Sequence, residues 1–581
     1  MIHSHTTENH STQSDPPPTC CESEFIQLLE KKTGAILDSY LGLREDIDQS
    51  DLDAYRQRCK LLISHFPKQP TQILEVGEAK GFSADFFSAH GYRVVTLNTG
   101  EQQQSSNSSY RQSSFTEFSD TTEQKFDVCL FQEKLPSKDN LDTFNRAWQI
   151  LRPDGHLLLL QELRNRRTAS DSDNSLPVKR HLIRQAEDCG FKLETEVDLS
   201  NLATSTIQHN LNMLQLMQGE SLNNSDKISV NLDQKLKTYN KALKEYHKDL
   251  RCYLLLKFRK HTKPRWRIGL ARNEETEGLG RLFQESFNES ISPDLWAWKY
   301  ASQPVMNVIA IRNDQVVAHY GGIKRKIHYQ DRIIDGVQIS DVMVSPKERG
   351  ILTRKGAFFR VAAAFPEYFV GYAASTLIGY GFPNMRHMRI AETMKLYSEV
   401  GRIEELSWNP SQAKPDKLTG CREIDFEQDE QQIDNLWASM VADLSDALIC
   451  VRDASYLQKR YLQHPHHKYQ LLLIYRRLSG TPLGVSVIHQ VNAESCRLID
   501  LIAPIKNLTR VINKTRLHAK NLGCKELVGW GSEQTVKHLA PTKPERRETD
   551  ICIPTSIWTD GPAPETLKGR WWLMYGDTDF N

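Results

Sequence analysis

The stretch Ile339-Ser-Asp-Val-Met-Val-Ser-Pro-Lys-Glu-Arg349-Gly350-Ile-Leu-Thr-Arg-Lys-Gly356 decides how the middle of this 581-residue chain is read. An apolar run enters a turn that holds Arg and Gly, and the segment Lys355 to Phe365 behind it reads as a helix. A strand that feeds a helix through such a turn leaves the first backbone N–H groups of the helix unpaired. Those donors, with the helix dipole, suit a pyrophosphate. Glycine lets the backbone come close to a phosphate, and Arg349, Arg354 and Lys355 bring positive charge. A basic glycine turn by itself is more often an ordinary solvated turn, so its surroundings carry the weight.

Downstream, Ile378-Gly-Tyr-Gly-Phe-Pro-Asn384 reads as a short strand, Arg386 to Lys395 as a helix, and Leu396 to Ile403 as a further strand. The parts, in this order over residues 265–405, resemble the GNAT superfamily of N-acyltransferases. The resemblance implies an acyl-CoA loop made by Arg349, Gly350, Ile351, Leu352, Thr353, Arg354, Lys355 and Gly356. Either Arg349-Gly350 or Arg354-Lys-Gly356 fills its final glycine turn. It also implies a pantetheine lying between two splayed strands, on the backbone of Val342, Met343 and Val344, with Asn384 beside it. The cofactor is then acetyl-CoA or another acyl-CoA. Asp341, at the head of the splayed strand, is the implied base that deprotonates the attacking amine. Many members carry a Tyr acid on the helix after the second strand; here Ala391 stands in its place, with Tyr380 and Tyr397 as substitutes.

A weak internal repeat follows. Trp296-Ala-Trp-Lys-Tyr300-Ala-Ser-Gln-Pro304 matches Leu457-Gln-Lys-Arg-Tyr461-Leu-Gln-His-Pro465, and Asp341-Val-Met-Val-Ser-Pro346 matches Asp500-Leu-Ile-Ala-Pro504. Two related α+β units with a boundary near residue 420 are expected. The second lacks an Arg-Gly turn after Pro504 and so is expected not to hold coenzyme A. The end of the chain, Trp571-Trp-Leu-Met-Tyr575, resembles the closing strand of tandem GNAT-like proteins often linked to surface polysaccharide assembly. Core packing is a better reading of Trp571 and Trp572 than sugar stacking.

Nearer the N-terminus, Ile73-Leu-Glu75-Val-Gly77-Glu-Ala-Lys-Gly81 resembles the first motif of class I S-adenosylmethionine-dependent methyltransferases, with Ala79 in place of the central glycine. Tyr92 to Asn98 reads as the second strand, Phe126 to Phe131 as the fourth, and Ile150-Leu-Arg-Pro153-Asp-Gly155 with Leu157 to Leu160 as the turn and fifth strand. The resemblance implies S-adenosylmethionine contacts at Glu75, Gly77, Gly81 and Asn98. An acid usually receives the ribose at the last of these, so a weakened cofactor site is expected.

Length and pattern divide the chain into a polar tail (1–22), a methyltransferase-like domain (23–262), a GNAT domain (263–420) and a degenerate GNAT-like domain (421–581). The fold class is α/β and α+β multidomain: a Rossmann-like methyltransferase fold, then two GNAT-like mixed-sheet units. A net charge of +1 gives no overall field for nucleic acid. No apolar run reaches the roughly 20 residues of a membrane span. Eleven scattered cysteines without a CxxC pair suit reduced thiols in a cytoplasmic protein and no metal site. The expected function is N-acylation of an amine on a small molecule or a sugar or polysaccharide precursor. The competing readings are a methyltransferase with the GNAT-like part as substrate-binding module, and a non-catalytic scaffold or sensor.

Overall fold

The computed structural model describes residues 43–69, 71–77, 82–98, 109–137, 139–171, 176–220, 226–300, 305–351 and 353–578. The chain divides into two compact units, Met1–Arg166 with Leu176–Pro264, and Arg167–Ser175 with Arg265–Asn581. The tail expected over residues 1–22 lies outside the described residues. Among those described, no helix is long and apolar enough to cross a membrane.

The first unit is built on β1 (Gln72–Val76), β2 (Arg93–Asn98), β3 (Ser109–Gln112), β4 (Phe126–Gln132), β5 (Leu151–Arg164), β6 (Phe191–Asp198) and β7 (Arg251–Lys260). They lie in the order β3-β2-β1-β4-β5-β7-β6. The first five are parallel, and β7 runs antiparallel between β5 and β6. Leu157 to Leu160 are all fully buried. Successive side chains of a strand face opposite ways, so four buried in a row require cover on both faces. Helices such as Asn140–Ile150 and Ser200–Glu220 come between the strands in sequence, giving a Rossmann-like α/β unit.

The second unit runs through one succession of elements twice. Strand β8 (Arg267–Leu270) leads through two helices to β9 (Met306–Arg312), β10 (Gln315–Tyr329) and β11 (Arg332–Val344). The helix Ala357–Phe369, β12 (Ile378–Tyr380), the helix Met385–Thr393 and β13 (Tyr397–Trp408) follow. The second pass is β14 (Thr419–Glu423), a helix, β15 (Leu448–Cys450), a short helical stretch, β16 (Gln470–Arg476), β17 (Pro482–Gln490) and β18 (Ser495–Ile502). Helix Leu508–Asn521, β19 (Glu526–Gly531), helix Glu533–Leu539, β20 (Glu545–Ser556) and β21 (Trp571–Trp572) complete it.

The two passes do not part at residue 420. Strand β13, from the first pass, lies between β19 and β20 of the second. In return, β15 pairs with β10 and with β21, so both extend the first sheet. A boundary at 420 falls at the start of β14 in sequence but cuts through both sheets in space. Trp571 and Trp572 are 1% and 0% exposed, core residues of this shared structure.

Candidate functional site

Strand β11 is held on one edge by β10 along its length. On the other edge β12 accompanies it in parallel only from Gly336 to Gln338. Beyond Tyr380 the chain turns away toward β20: Cys552 N–H donates to Pro383 O at 2.9 Å, and Asn384 bridges to Ile551. Beyond Gln338 no strand among the described residues pairs with that edge of β11; Gly381 still packs beside Ile339, and past it the two chains diverge and leave a slot. At its side β11 bulges. Ser340 faces Gly321 and Met343 faces His319, so Asp341 and Val342 together stand against Tyr320. Asp341 takes φ +47°, a left-handed conformation few non-glycine residues adopt. Val342 is 38% exposed, Met343 is buried, and Val344 is half-buried.

The loop after β11 settles which glycine meets the helix. Helix Ala357–Phe369 begins directly behind Gly356, which stands at its N-cap and gives it no side-chain cap. A Cβ on Gly356 would sit 2.0 Å from the Ile351 carbonyl oxygen, so this position admits only glycine. Gly350 has φ +98° with open space around it. Arg349, Thr353, Arg354 and Lys355 are exposed and Ile351 is half-buried; Leu352 lies outside the described residues. Arg349 donates from Nε to Val344 O at 2.8 Å, which folds its guanidinium back over the strand end. Arg354 has other work: it donates to Met394 O at 3.3 Å and its guanidinium lies 5.7 Å from the rings of both Phe359 and Trp558. Arg386 and Arg349, after the burial of its ring, hold the pKa of His387 down, so these cations face one neighbourhood. Asn384 caps helix Met385–Thr393 by accepting from His387 N–H at 3.0 Å. That gives its Oδ1 a role in the helix cap.

Asp341 is not placed to act as a base. Its side chain is 6% exposed; Lys299 Nζ lies 3.0 Å from Oδ1, and Tyr300 donates its hydroxyl to Oδ2 at 2.5 Å. Burial would raise its pKa, but Lys299 and Tyr300 outweigh burial and hold it below the usual carboxylate range. The second pass repeats the arrangement where no glycine loop exists. Tyr461 donates to Asp500 Oδ2 at 2.7 Å, and Arg452 Nε donates to Oδ1 at 2.8 Å. A contact kept in both passes anchors helix to strand.

Sequence reasoning missed His319. Its Nδ1 lies 2.7 Å from the Asp341 carbonyl oxygen, which can only accept, so Nδ1 carries the proton. Nε2 is then a lone pair, buried and without a partner among the described residues. Burial pushes the pKa of the ring down and keeps it neutral. Nothing in the sequence around His319 marks it; only the bulge brings it there. Tyr380 and Tyr397 are buried and bonded, to Cys450 Sγ at 3.2 Å and to Tyr320 Oη at 2.6 Å, and burial raises both pKa values.

In the second pass the corresponding place is filled among the described residues. Strand β18 pairs with β19 only from Ser495 to Leu498. There, however, the chain's own 573–578 segment lies against the diverging strands. Tyr575 stacks on Trp530 with ring centres 4.2 Å apart, Arg460 donates to Gly576 O at 3.1 Å, and Ser532 accepts from Leu573 N–H at 2.8 Å.

In the first unit, Gly77 ends β1 at φ +109°, and a Cβ there would lie 2.6 Å from Gln132 O. Glu75 is fully buried and turned inward: it accepts from Gln132 Nε2 at 2.6 Å, from Thr96 Oγ1 at 3.3 Å and from Ser83 Oγ. It holds the ends of β1, β2 and β4 together. Asn98 closes β2; Ala79 and Gly81 lie outside the described residues. Burial raises the Glu75 pKa to about 7 from 4.5. A raised folded-state value gives stability that is full below the unfolded pKa and is lost as pH rises through the folded one. The first unit is thus expected to lose roughly 2–3 kcal/mol between pH 4.5 and 7.5, at about 1.4 kcal/mol per pKa unit. Urea titrations of wild type and Glu75→Gln across that range check this; the variant should show a flat profile, and a sloping one would assign the effect elsewhere.

Residues 267–368 match the family model described as the acetyltransferase (GNAT) domain. No curated protein matches the chain. Among solved structures, a conserved protein of unknown function from Enterococcus faecalis V583, named a probable N-acyltransferase, shares 11% identity over 50% of this chain and 71% of its own, with a TM-score of 0.40. A GCN5-related N-acetyltransferase from Kribbella flavida shares 14% over 50% and 70%, at 0.39. A provisionally named sarcosine dimethylglycine methyltransferase from Galdieria sulphuraria shares 17% over 41% and 98%, at 0.35. Likenesses this slight do not bear on function.

Proposed function

We propose that the second unit transfers an acyl group, acetyl in the simplest case, from coenzyme A to an amine of a small molecule or a sugar or polysaccharide precursor. The observation that carries this reading is the slot beside β11, which lies next to the uncapped N-terminus of a 13-residue helix. The first backbone N–H groups of that helix, with Lys355 and Arg349 nearby, suit the pyrophosphate. The backbone freed from β12 between Ile339 and Val344 suits the amides of a pantetheine, which would pair with it as an added strand does. Bound there, acyl-CoA would supply an activated thioester near the bulge. The GNAT family match over this region supports the same reading.

The amine must arrive without its extra proton or lose it on attack. In this reading His319, 0% exposed until the amine enters beside the bulge, takes that proton on Nε2, a neutral lone pair with no partner among the described residues. The first unit, in the same proposal, is a cytoplasmic methyltransferase-like partner that binds S-adenosylmethionine at the end of β1, where the chain turns at Gly77 with φ +109°.

Coenzyme A is expected to raise the melting temperature of the chain. At a concentration 100 times its Kd, linkage gives about 2.7 kcal/mol. Calorimetric scans with and without the ligand measure this, and an unshifted transition at millimolar coenzyme A would remove the proposal.

A further inference from the structure

We propose that the tip of the β16–β17 hairpin, with the loop that leads into β14, docks the second unit on an anionic lipid surface. This docking does not depend on the acyl-transfer reading. Two leucines that the fold leaves in water point to it. Leu478 is 93% exposed and Leu418 is 68% exposed. Leu478 sits in the turn that joins β16 to β17, where the Gly480 N–H donates to the Arg476 carbonyl at 2.8 Å. Tight turns favour Gly, Pro, Asn, Asp and Ser, and a leucine adds nothing to their geometry. Leu418 stands just before β14, and its carbonyl accepts from the Arg477 N–H at 2.8 Å. The two leucines therefore share one end of the sheet. A single exposed leucine means little; the charge around this pair gives it meaning.

That charge is of one sign. Lys417 precedes Leu418, Arg476 and Arg477 precede Leu478, and Lys414 opens the same loop. All four cations are exposed, and none forms an ion pair among the described residues. Asn513, on helix Leu508–Asn521, holds the backbone of Lys414 with bonds of 3.0 and 2.9 Å, so the loop lies against that helix. The acid of the loop, Asp416, is half-buried and turned back on its own chain. It accepts from the N–H groups of Leu418 and Thr419 at 2.9 and 3.1 Å, and it faces a fifth cation, Arg510. Between Asp453 and Glu494 the sequence holds no Asp or Glu, so neither strand of the hairpin offers a counter-charge.

Apolar points within a cationic rim fit the boundary between lipid headgroups and acyl chains. Leucine side chains enter that boundary, while Lys and Arg extend along it and keep their charges at the phosphates. Each cation held near an anionic leaflet adds to the attraction. A nucleic acid would use the cations and leave the leucines in water. Single strands are held by stacking on aromatic rings, and the ring nearest the tip, Tyr475, is laid over Gly420, where a Cβ would lie 2.3 Å from it.

The full chain is sedimented with vesicles of phosphatidylcholine alone, and of phosphatidylcholine with about 30% phosphatidylglycerol, at about 0.1 M salt. Binding to the mixed vesicles should be about tenfold tighter or more. Lys417→Gln, Arg476→Gln and Arg477→Gln together should weaken it about 100-fold, at roughly a factor of five per cation. Leu418→Ser with Leu478→Ser leaves every charge in place and should still weaken it about tenfold. All five positions are exposed, so both variants should keep the urea midpoint of the wild type, which shows that they have folded. Equal binding of the wild type to both kinds of vesicle, or binding to neither, would overturn the proposal. So would a leucine variant that holds the mixed vesicles as tightly as the wild type. A single-stranded oligonucleotide that displaces the vesicles and binds wild type and leucine variant alike would also overturn it, and would assign the cations to nucleic acid.

Discussion

Asp341→Asn is expected to destabilise the second unit by about 3–5 kcal/mol, the usual consequence of leaving one member of a buried ion pair without the other. Lys299 would keep its charge at 7% exposure with a neutral amide in place of the carboxylate. Denaturant unfolding at pH 7 measures the loss. Asp341 has a lowered folded pKa, so its contribution is present above the unfolded carboxylate value of about 4 and vanishes as pH falls through the folded one. The gap between wild type and variant should therefore narrow in acid. Adding Lys299→Met should return much of the lost stability, because it removes the buried charge that the first substitution left uncompensated. A catalytic base would behave otherwise: the single variant would keep its stability and lose turnover, and the second substitution would repair nothing.

Gly356→Ala is expected to weaken coenzyme A binding about 100-fold or more. The new methyl cannot fit 2.0 Å from a backbone oxygen, so the chain between Ile351 and Gly356 must move away from the helix end. Each charge-assisted hydrogen bond lost there is worth about 1.5–3 kcal/mol, and two of them reach the stated factor. Gly350→Ala meets only the strain of a positive φ, about 1–3 kcal/mol, in open space. It should change stability modestly and affinity less. Calorimetric titration of coenzyme A into both variants compares them. Equal losses would mean that the turn at Gly350, and not the helix cap, meets the cofactor.

These two positions show what could be read beforehand. The strand, loop and helix around residues 339–369 were legible because an apolar run, a glycine turn and a second apolar run follow one another without interruption. The choice between Gly350 and Gly356 was not, because it depends on one carbonyl, that of Ile351, which no pattern announces. The Tyr300–Tyr461 and Asp341–Asp500 correspondences were visible as a repeat. Their meaning needed distances: only those show the same hydroxyl-to-carboxylate bond in both passes. Glu75 and Asn384 sat where a family pattern puts ligand contacts, yet one braces three strands and the other caps a helix. The exchange of β13 for β15 and β21 left almost no trace. A strand as short as Leu448–Cys450 or Trp571–Trp572 has too few residues for an alternation to appear.

That exchange sets a schedule for the ribosome. Strand β13 leaves the exit tunnel well over a hundred residues before β19 and β20, which must lie on either side of it. At about 5–20 residues per second, both its edges stay unpaired for on the order of ten seconds. The first sheet waits longer still for β21. During that interval the nascent chain presents open strand edges of the kind that pair with neighbours on a polysome. The first unit, whose seven strands are all made by Lys260, has finished its own sheet before the delay begins. Synthesis of this protein should therefore depend on trigger-factor-like holding activity in its last third, and slow codons placed after residue 408 should lower the soluble yield more than the same codons placed before residue 260.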